Sequence, residues 1–400
     1  MMKPCSSIAD PLTSMIRDRA AASAEMLAIF GDEALARAAL DFEAALAQAQ
    51  ADEGLISAGE ADAIAHACAD LQLDIAELAE EAAHAGTLAI PLVRHLRARV
   101  AARDAGAALK VHLGATSQDV ADTALMLQAR AGLAAIQRDV GRMSVALEEL
   151  AEAHAETPML GRTLLQAALP ITFGLKAANW LLGLDAASDR LRREGEAALV
   201  LQFGGATGSL AGLGGKAFAI SERLAATLGL ACPPMPWDAR RDAVAGLATA
   251  LAIVTGAVGK IARDIALMAQ GEVAEAFEPR IAGRGGSSAM AHKRNPTGCQ
   301  VALSASLRAP GLASSILAAL PQEHERGLGG WQIEGAVLAD LFCLAHGAVQ
   351  AMAAVVEGLE LDTGRMRANL MAADVGCDAG ESAALVRRAL DHHRKSSPCS

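Results

Sequence analysis

Apolar residues recur in alternating steps of three and four along three stretches of this chain, and that rhythm decides what it can fold into. It runs through Met126, Ala129, Leu133 and Ile136 to Leu150, through Val244, Leu247, Leu251 and Val254 to Met268, and more briefly from Val337 to Val355. Such steps keep one stripe of an α-helix facing a partner, the pattern of a long bundle or coiled coil. At 1.5 Å per residue the first two helices are each roughly 35–40 Å long. The stretch 243–268 is apolar off its stripe as well, which predicts burial on several sides and a partner beyond the chain. No segment alternates with period two for long, so the expected fold is all-α. Prolines 158, 170, 279, 296, 310 and 321 punctuate it. The organisation that follows is an N-terminal helical domain over 1–110, a central long-helix bundle over 111–357 and a short C-terminal helical domain over 358–400.

Composition says what fills that core. Apolar residues make up 52% of the 400, but aromatics only 2%, with no Tyr. Closely packed Ala, Leu, Val and Ile fit this, and a base-stacking platform for single-stranded nucleic acid does not. Thirty-five basic against 46 acidic residues leave a formal charge of −11, which argues against nucleic acid and anionic membrane as partners. Seven scattered cysteines without a CxxC pair fit neither a disulfide framework nor the common zinc spacings. Reduced thiols in the cytoplasm, with no metal and no organic cofactor, are the expectation. Charges at Asp10, Arg17, Asp18 and Arg19 precede any apolar run, so no signal peptide is expected, and 243–259 falls just short of a membrane span.

Four polar islands interrupt the apolar pattern. Gly283-Arg-Gly-Gly-Ser-Ser-Ala-Met-Ala-His-Lys-Arg-Asn-Pro296 sets flexible glycines before two hydroxyls and two cations, a loop able to close over an anion. His112-Leu-Gly-Ala-Thr-Ser-Gln-Asp119 opens the first long helix, where Thr116, Ser117 or Asp119 also reads as a plain helix cap. Gln322-Glu-His-Glu-Arg-Gly327 also reads as a charged first turn, and Gly161-Arg-Thr-Leu-Leu-Gln166 precedes the Pro170 break. The glycines between Gln202 and Gly215 imply a backbone packed closely on a helix or a ligand. Gly212-Leu-Gly-Gly-Lys-Ala217 fits a loose dinucleotide pattern, but its flanks read as helices rather than the strand that pattern needs.

Together these runs resemble the fumarase/aspartase superfamily. The loop Gly286-Ser-Ser-Ala-Met-Ala-His-Lys-Arg-Asn295 is similar to its long signature, and Gly114-Ala-Thr-Ser-Gln-Asp119, Leu165-Gln-Ala-Ala-Leu-Pro170 and Pro321-Gln-Glu-His-Glu-Arg326 resemble its muconate-cycloisomerase branch. The resemblance spans about residues 10–370. It implies three helical domains, the central helices of four subunits packed into one core, active sites shared between subunits, and closure of a carboxylated muconate to a lactone. Leu164, and Thr87-Leu-Ala-Ile-Pro91, stand where the adenylosuccinate-lyase branch carries its acid/base histidines, which disfavours that alternative. The chain departs from the cycloisomerase pattern at Leu164, at Ala291 and in an abbreviated C-terminal domain. A sulfonated muconate as substrate, or an inactive helical scaffold, are the readings those departures admit.

Lactonisation adds a substrate carboxylate to its own conjugated double bond, so the nucleophile is tethered and mainly needs orientation. The enolate-like intermediate then needs counter-charge and a proton. On the resemblance, Lys293 supplies the counter-charge with Asn295 beside it, and Arg326 clamps a second carboxylate. Thr116, Ser117 and Gln118 are neutral donors, while Arg162, Thr163 and Gln166 line the other island. Ser287 is the superfamily's proton-transfer residue, and His112 and His292 are the alternatives, so the acid stays open at this point.

Overall fold

The computed structural model describes residues 19–286, 290 and 293–396. Among the described residues six helices come first: α1 (Ala24–Ile29), α2 (Asp32–Asp52), α3 (Ala58–Asp70), α4 (Ile75–Ala85), α5 (Ala89–Ala101) and the single turn α6 (Ala105–Ala108). Caps set their starts: Ser23 accepts the Met26 N–H, and Ser57 with Glu60 forms a capping box. Next comes α7 (Ser117–Ala153), then a hairpin of β1 (Pro158–Thr163) and β2 (Gln166–Thr172), then α8 (Phe173–Ala198), α9 (Ala217–Leu228) and α10 (Asp242–Met268). The two-residue β3 (Ala276–Phe277) leads through the signature loop to α11 (Thr297–Ala318), α12 (Glu334–Glu357), β4 (Glu360–Leu361), α13 (Thr363–Ala372) and α14 (Ser382–Ser396).

Helices α7, α8, α10, α11 and α12 pack into one bundle, and the stripes read from the sequence are its seams. All eight stripe residues of α10 are buried, as are seven of the eight on α7, with Leu150 partly so. Helix α10 also runs further than its uncharged core: with α11 and the segment 331–357, it is long and apolar enough to cross a bilayer by length and composition. Its stripe is spent on neighbouring helices instead.

Two local readings differ from the structure. The Pro310 break is absent, and α11 continues through it. That proline lies on the exposed side of a helix clamped between α10 and α12, whose packing on both flanks outweighs the one backbone hydrogen bond the proline removes. The second difference is the hairpin. β1 and β2 pair antiparallel from Pro158–Thr172 to Thr163–Gln166, with an irregularity at Gly161, around Leu164 and Leu165, both in the left-handed region at φ 51 and 64. Two left-handed residues are the two-residue turn that matches strand twist, normally taken by Asn-Gly, so a Leu-Leu pair gives no turn signal.

Candidate active site

The polar islands gather into two clusters at opposite ends of α10. At its N-terminal end, Thr116 caps α7, and its N–H donates to Asp119 Oδ2 at 2.9 Å. The cap reading of this island thus describes its local geometry. Asp119 also accepts from the N–H groups of Gly204 and Gly205 at 2.9 and 3.0 Å. Burial nonetheless pushes its carboxyl up to about 7, because the loss of water outweighs those donors. The glycine-rich run is therefore packed on a helix terminus. Gly205 takes φ +72, and a Cβ there would stand 2.9 Å from the Gly114 carbonyl oxygen.

Arg326 ties this corner together, from a loop rather than the helical first turn its charges suggested. It donates through Nε to Gln118 Oε1 (2.8 Å), through Nη1 to Thr116 Oγ1 (3.1 Å), and through Nη2 to the Gly205 carbonyl (3.0 Å) and Asp238 Oδ1 (3.2 Å). A bidentate grip on a substrate carboxylate requires one of these partners to be released. Gln118 is fully buried and donates to the Asp238 carbonyl at 2.7 Å, while Ser117 is half-buried at the same rim. Behind the rim, Arg241 pairs with Asp122 through two 2.8 Å bonds and with Glu334, all three no more than 3% exposed. The ring of Trp237 lies 4.4 Å from its guanidinium carbon. His112, in the turn leading into α7, hydrogen-bonds Glu43 through Nδ1.

The other cluster surrounds the C-terminal end of α10. A cavity of about 120 Å³ is lined by Ala269, Arg280, Arg284, Lys293 and Asn295, among others. Lys293 is exposed, and Asn295 is held by its N–H to the Gly285 carbonyl at 2.9 Å. Arg294 is engaged elsewhere, with Glu360 at 2.9 Å and the Glu278 carbonyl at 2.5 Å. The Glu278 carboxylate accepts the Gly298 and Cys299 N–H groups at the start of α11, which leaves the cavity wall predominantly cationic. That suits an anionic ligand in a protein of charge −11. Ser287 and His292 lie outside the described residues, as does Ala291.

Arg162, Thr163 and Gln166 belong to the hairpin beside this end. Arg162 forms a two-pronged pair with the buried Glu275 at 2.7 and 2.8 Å, so its guanidinium faces a protein carboxylate. Thr163 and Gln166 sit exposed at the tip, where Leu164 is 95% exposed. A second cavity of about 280 Å³ runs from Arg162 to Gln270 and Lys176, whose ammonium is pushed down in pKa by burial. Glu275, Asp238, Glu43 and Lys176 were not singled out from the sequence. The first three show only as ordinary acidic residues until the fold supplies their partners. Among the described residues no group of three or more His, Cys, Asp and Glu side chains is arranged to hold a metal.

The 27 residues of α10 place the Asp238–Arg326 corner and the Lys293 cavity about 40 Å apart. A single chain therefore brings Thr116, Gln118 and Arg326 together, and Lys293 with Asn295, but does not bring the two sets to one point.

Comparison with known proteins agrees with both the fold and the motifs. A family model described as lyase matches residues 18–311. A 3-carboxy-cis,cis-muconate cycloisomerase of Pseudomonas aeruginosa is 49% identical over 348 residues, covering 87% of this chain and 76% of that protein. Its counterpart in Bradyrhizobium diazoefficiens is 50% identical, covering 87% and 77%. The crystal structure of the 3-carboxy-cis,cis-muconate lactonizing enzyme from Pseudomonas putida superposes with a TM-score of 0.89 at 37% identity, covering 96% of this chain and all of that one.

Proposed function

This chain belongs to the lyase family of the fumarase/aspartase superfamily, and on that premise we propose that it is a cycloisomerase closing 3-carboxy-cis,cis-muconate to 4-carboxymuconolactone in aromatic catabolism. The observation that carries this is the identity of about half to two cycloisomerases over 87% of the chain, with the polar islands inside the matched span. One substrate carboxylate attacks the β-carbon of the double bond conjugated to another. The carbon–oxygen bond forms as the π electrons move onto the α-carbon and its carboxylate. Lys293 opposes the developing charge, with Asn295 as a hydrogen-bond donor to the same group. Thr116, Ser117 and Gln118 hold a second carboxylate. Arg326 adds its charge there and fixes the Thr116 and Gln118 side chains. Arg162, Thr163 and Gln166 form the hairpin wall, and Ser287, His112 and His292 are the candidates for the proton.

The working unit in this reading is a homotetramer with shared sites. The 40 Å between the two clusters supports it, because only another copy can bring a second Lys293 loop to the Arg326 corner. So does α11, where only 28% of the most apolar window is buried within one chain and Leu307 is 75% exposed. The free thiols of the described cysteines agree with a cytoplasmic setting.

The decisive assay follows the conjugated-diene absorbance of 3-carboxy-cis,cis-muconate with purified protein, alongside adenylosuccinate and a sulfonated muconate. Loss of the first signal alone is expected. An inert tricarboxylate beside turnover of either competitor overturns the assignment, and no turnover of any of the three favours a scaffold.

A further inference from the structure

Helix α2 carries a carboxylate that the reaction as described does not use. Glu43 is 1% exposed. Its Oε1 meets His112 Nδ1 at 2.5 Å, and its Oε2 has no hydrogen-bond partner among the described residues. Burial first, and then the nearby Glu43 charge, push the neighbouring Cys68 thiol up to about 12. A carboxylate taken out of water with one partner is costly unless that partner carries or shares charge. The pair is therefore an odd choice for mere packing.

His112 itself is held in an unusual way. It takes φ 63, in the left-handed region where a residue with a Cβ is uncommon. Such conformations persist only where the surroundings enforce them. Here Arg97 Nη2 donates to the Val111 carbonyl at 3.0 Å, Gln50 Nε2 donates to the Leu113 carbonyl at 2.7 Å, and Glu43 takes the ring. Two of these three anchors come from α2. The turn so held leads into Thr116, and its Gly114 packs against Gly205, whose carbonyl accepts from Arg326. The His112 side chain stays 15% exposed, and Nε2 makes no hydrogen bond to a described residue.

We infer that Glu43 is a positioning residue that holds His112, through Nδ1–H, as the group that protonates the carbanion carbon. This rests on the cycloisomerase reading and narrows the three proton candidates to one. In the step, the imidazolium Nε2–H bond breaks and its proton forms the new C–H bond. The N–H electron pair stays on nitrogen, leaving the neutral ring with its proton on Nδ1, the nitrogen facing Glu43. Solvent water returns the proton to Nε2. An orienting carboxylate behind a histidine fixes which nitrogen exchanges protons, and general acid–base catalysis contributes about 10²–10⁴ in rate.

The test is a kinetic cycle on the full-length enzyme with His112→Ala, Glu43→Gln and the double variant. His112→Ala should lower kcat at least about a hundredfold, and Glu43→Gln should lower kcat by no more than that loss, with KM unchanged, because it acts through the ring. In the His112→Ala background, Glu43→Gln should cost nothing further, because it acts only through the ring. A Glu43→Gln penalty that persists undiminished without His112, or one that appears in KM alone, overturns the inference. The ¹⁵N-histidine spectrum of the unsubstituted enzyme needs no turnover: the neutral His112 ring should carry its proton on Nδ1, and a ring protonated on Nε2 overturns the pairing. This second readout stands when Glu43→Gln fails to fold. It also stands when the tricarboxylate proves inert, so that failure of the substrate reading is told apart from failure of the pair.

Discussion

Replacing Arg241 by Met keeps the length of the side chain over Trp237 and removes the cation that bridges Asp122 and Glu334. Arg241 is 2% exposed as a residue, the two carboxylates 3% and 1%, and it makes four hydrogen bonds to them. Breaking a buried ion pair from one side costs about 3–5 kcal/mol, because the abandoned charge stays in a medium that solvates it poorly. At about 2.1 cal/mol/K of unfolding entropy per residue, a 400-residue chain loses roughly 1.2 °C of Tm per kcal/mol. Arg241→Met should therefore melt about 4–6 °C below the parent near pH 8 by calorimetry.

The pH dependence follows from the sign of the shifts. Burial raises both carboxyl groups above their usual range, and Arg241 holds that rise in check. Without it the folded-state values climb further, so the folded chain binds protons that the unfolded chain has released. Stability then falls as pH rises from the unfolded carboxyl range through the raised folded values. The deficit of Arg241→Met should accordingly shrink from pH 8 toward pH 5, and adding Asp122→Asn with Glu334→Gln should recover more than half of it. Equal melting at pH 8, or a deficit that widens in acid, refutes the assignment of Arg241 as the counter-charge of this core. Because Asp122 lies one turn beyond Gln118 on α7, the same variant should also raise KM.

Lys293→Ala should cut turnover at least about a hundredfold, the scale of one preorganised stabilising group, with Tm unchanged because the side chain is exposed. Equal rates for parent and variant remove the loop from the chemistry. Arg162→Ala strands the buried Glu275 and should lower stability by about 3 kcal/mol in denaturant titration; an unaltered midpoint would show that the pair is not structural. Gly205→Ala forces a Cβ into left-handed backbone against the Gly114 carbonyl, with an expected loss of about 2 kcal/mol and a raised KM; wild-type stability contradicts the packing described. Light scattering on a sizing column should return a tetramer, and a monomer at micromolar concentration removes the shared site.

The helices were legible because their information is local. A stripe stepping by three and four implies a helix whatever lies around it, so α7, α10 and α12 follow from spacing alone. Thr116 and Asp119 carried a cap signal of the same local kind. The hairpin was not legible, since Leu164-Leu165 is no turn dipeptide and its left-handed backbone is imposed by the strands on either side. Within the candidate site the motifs exposed Lys293, Asn295, Arg326 and His112. What Arg162, Arg326 and His112 face lay hidden, because Arg162 with Glu275, Arg326 with Asp238 and His112 with Glu43 are 113, 88 and 69 residues apart. No periodicity links residues at such separations; only the tertiary packing of loops, hairpin and helices brings them into contact. The split of the site has the same origin. Sequence order sets the islands side by side as one catalogue of polar groups, but a rigid helix of 27 residues holds the Arg326 corner and the Lys293 loop about 40 Å apart.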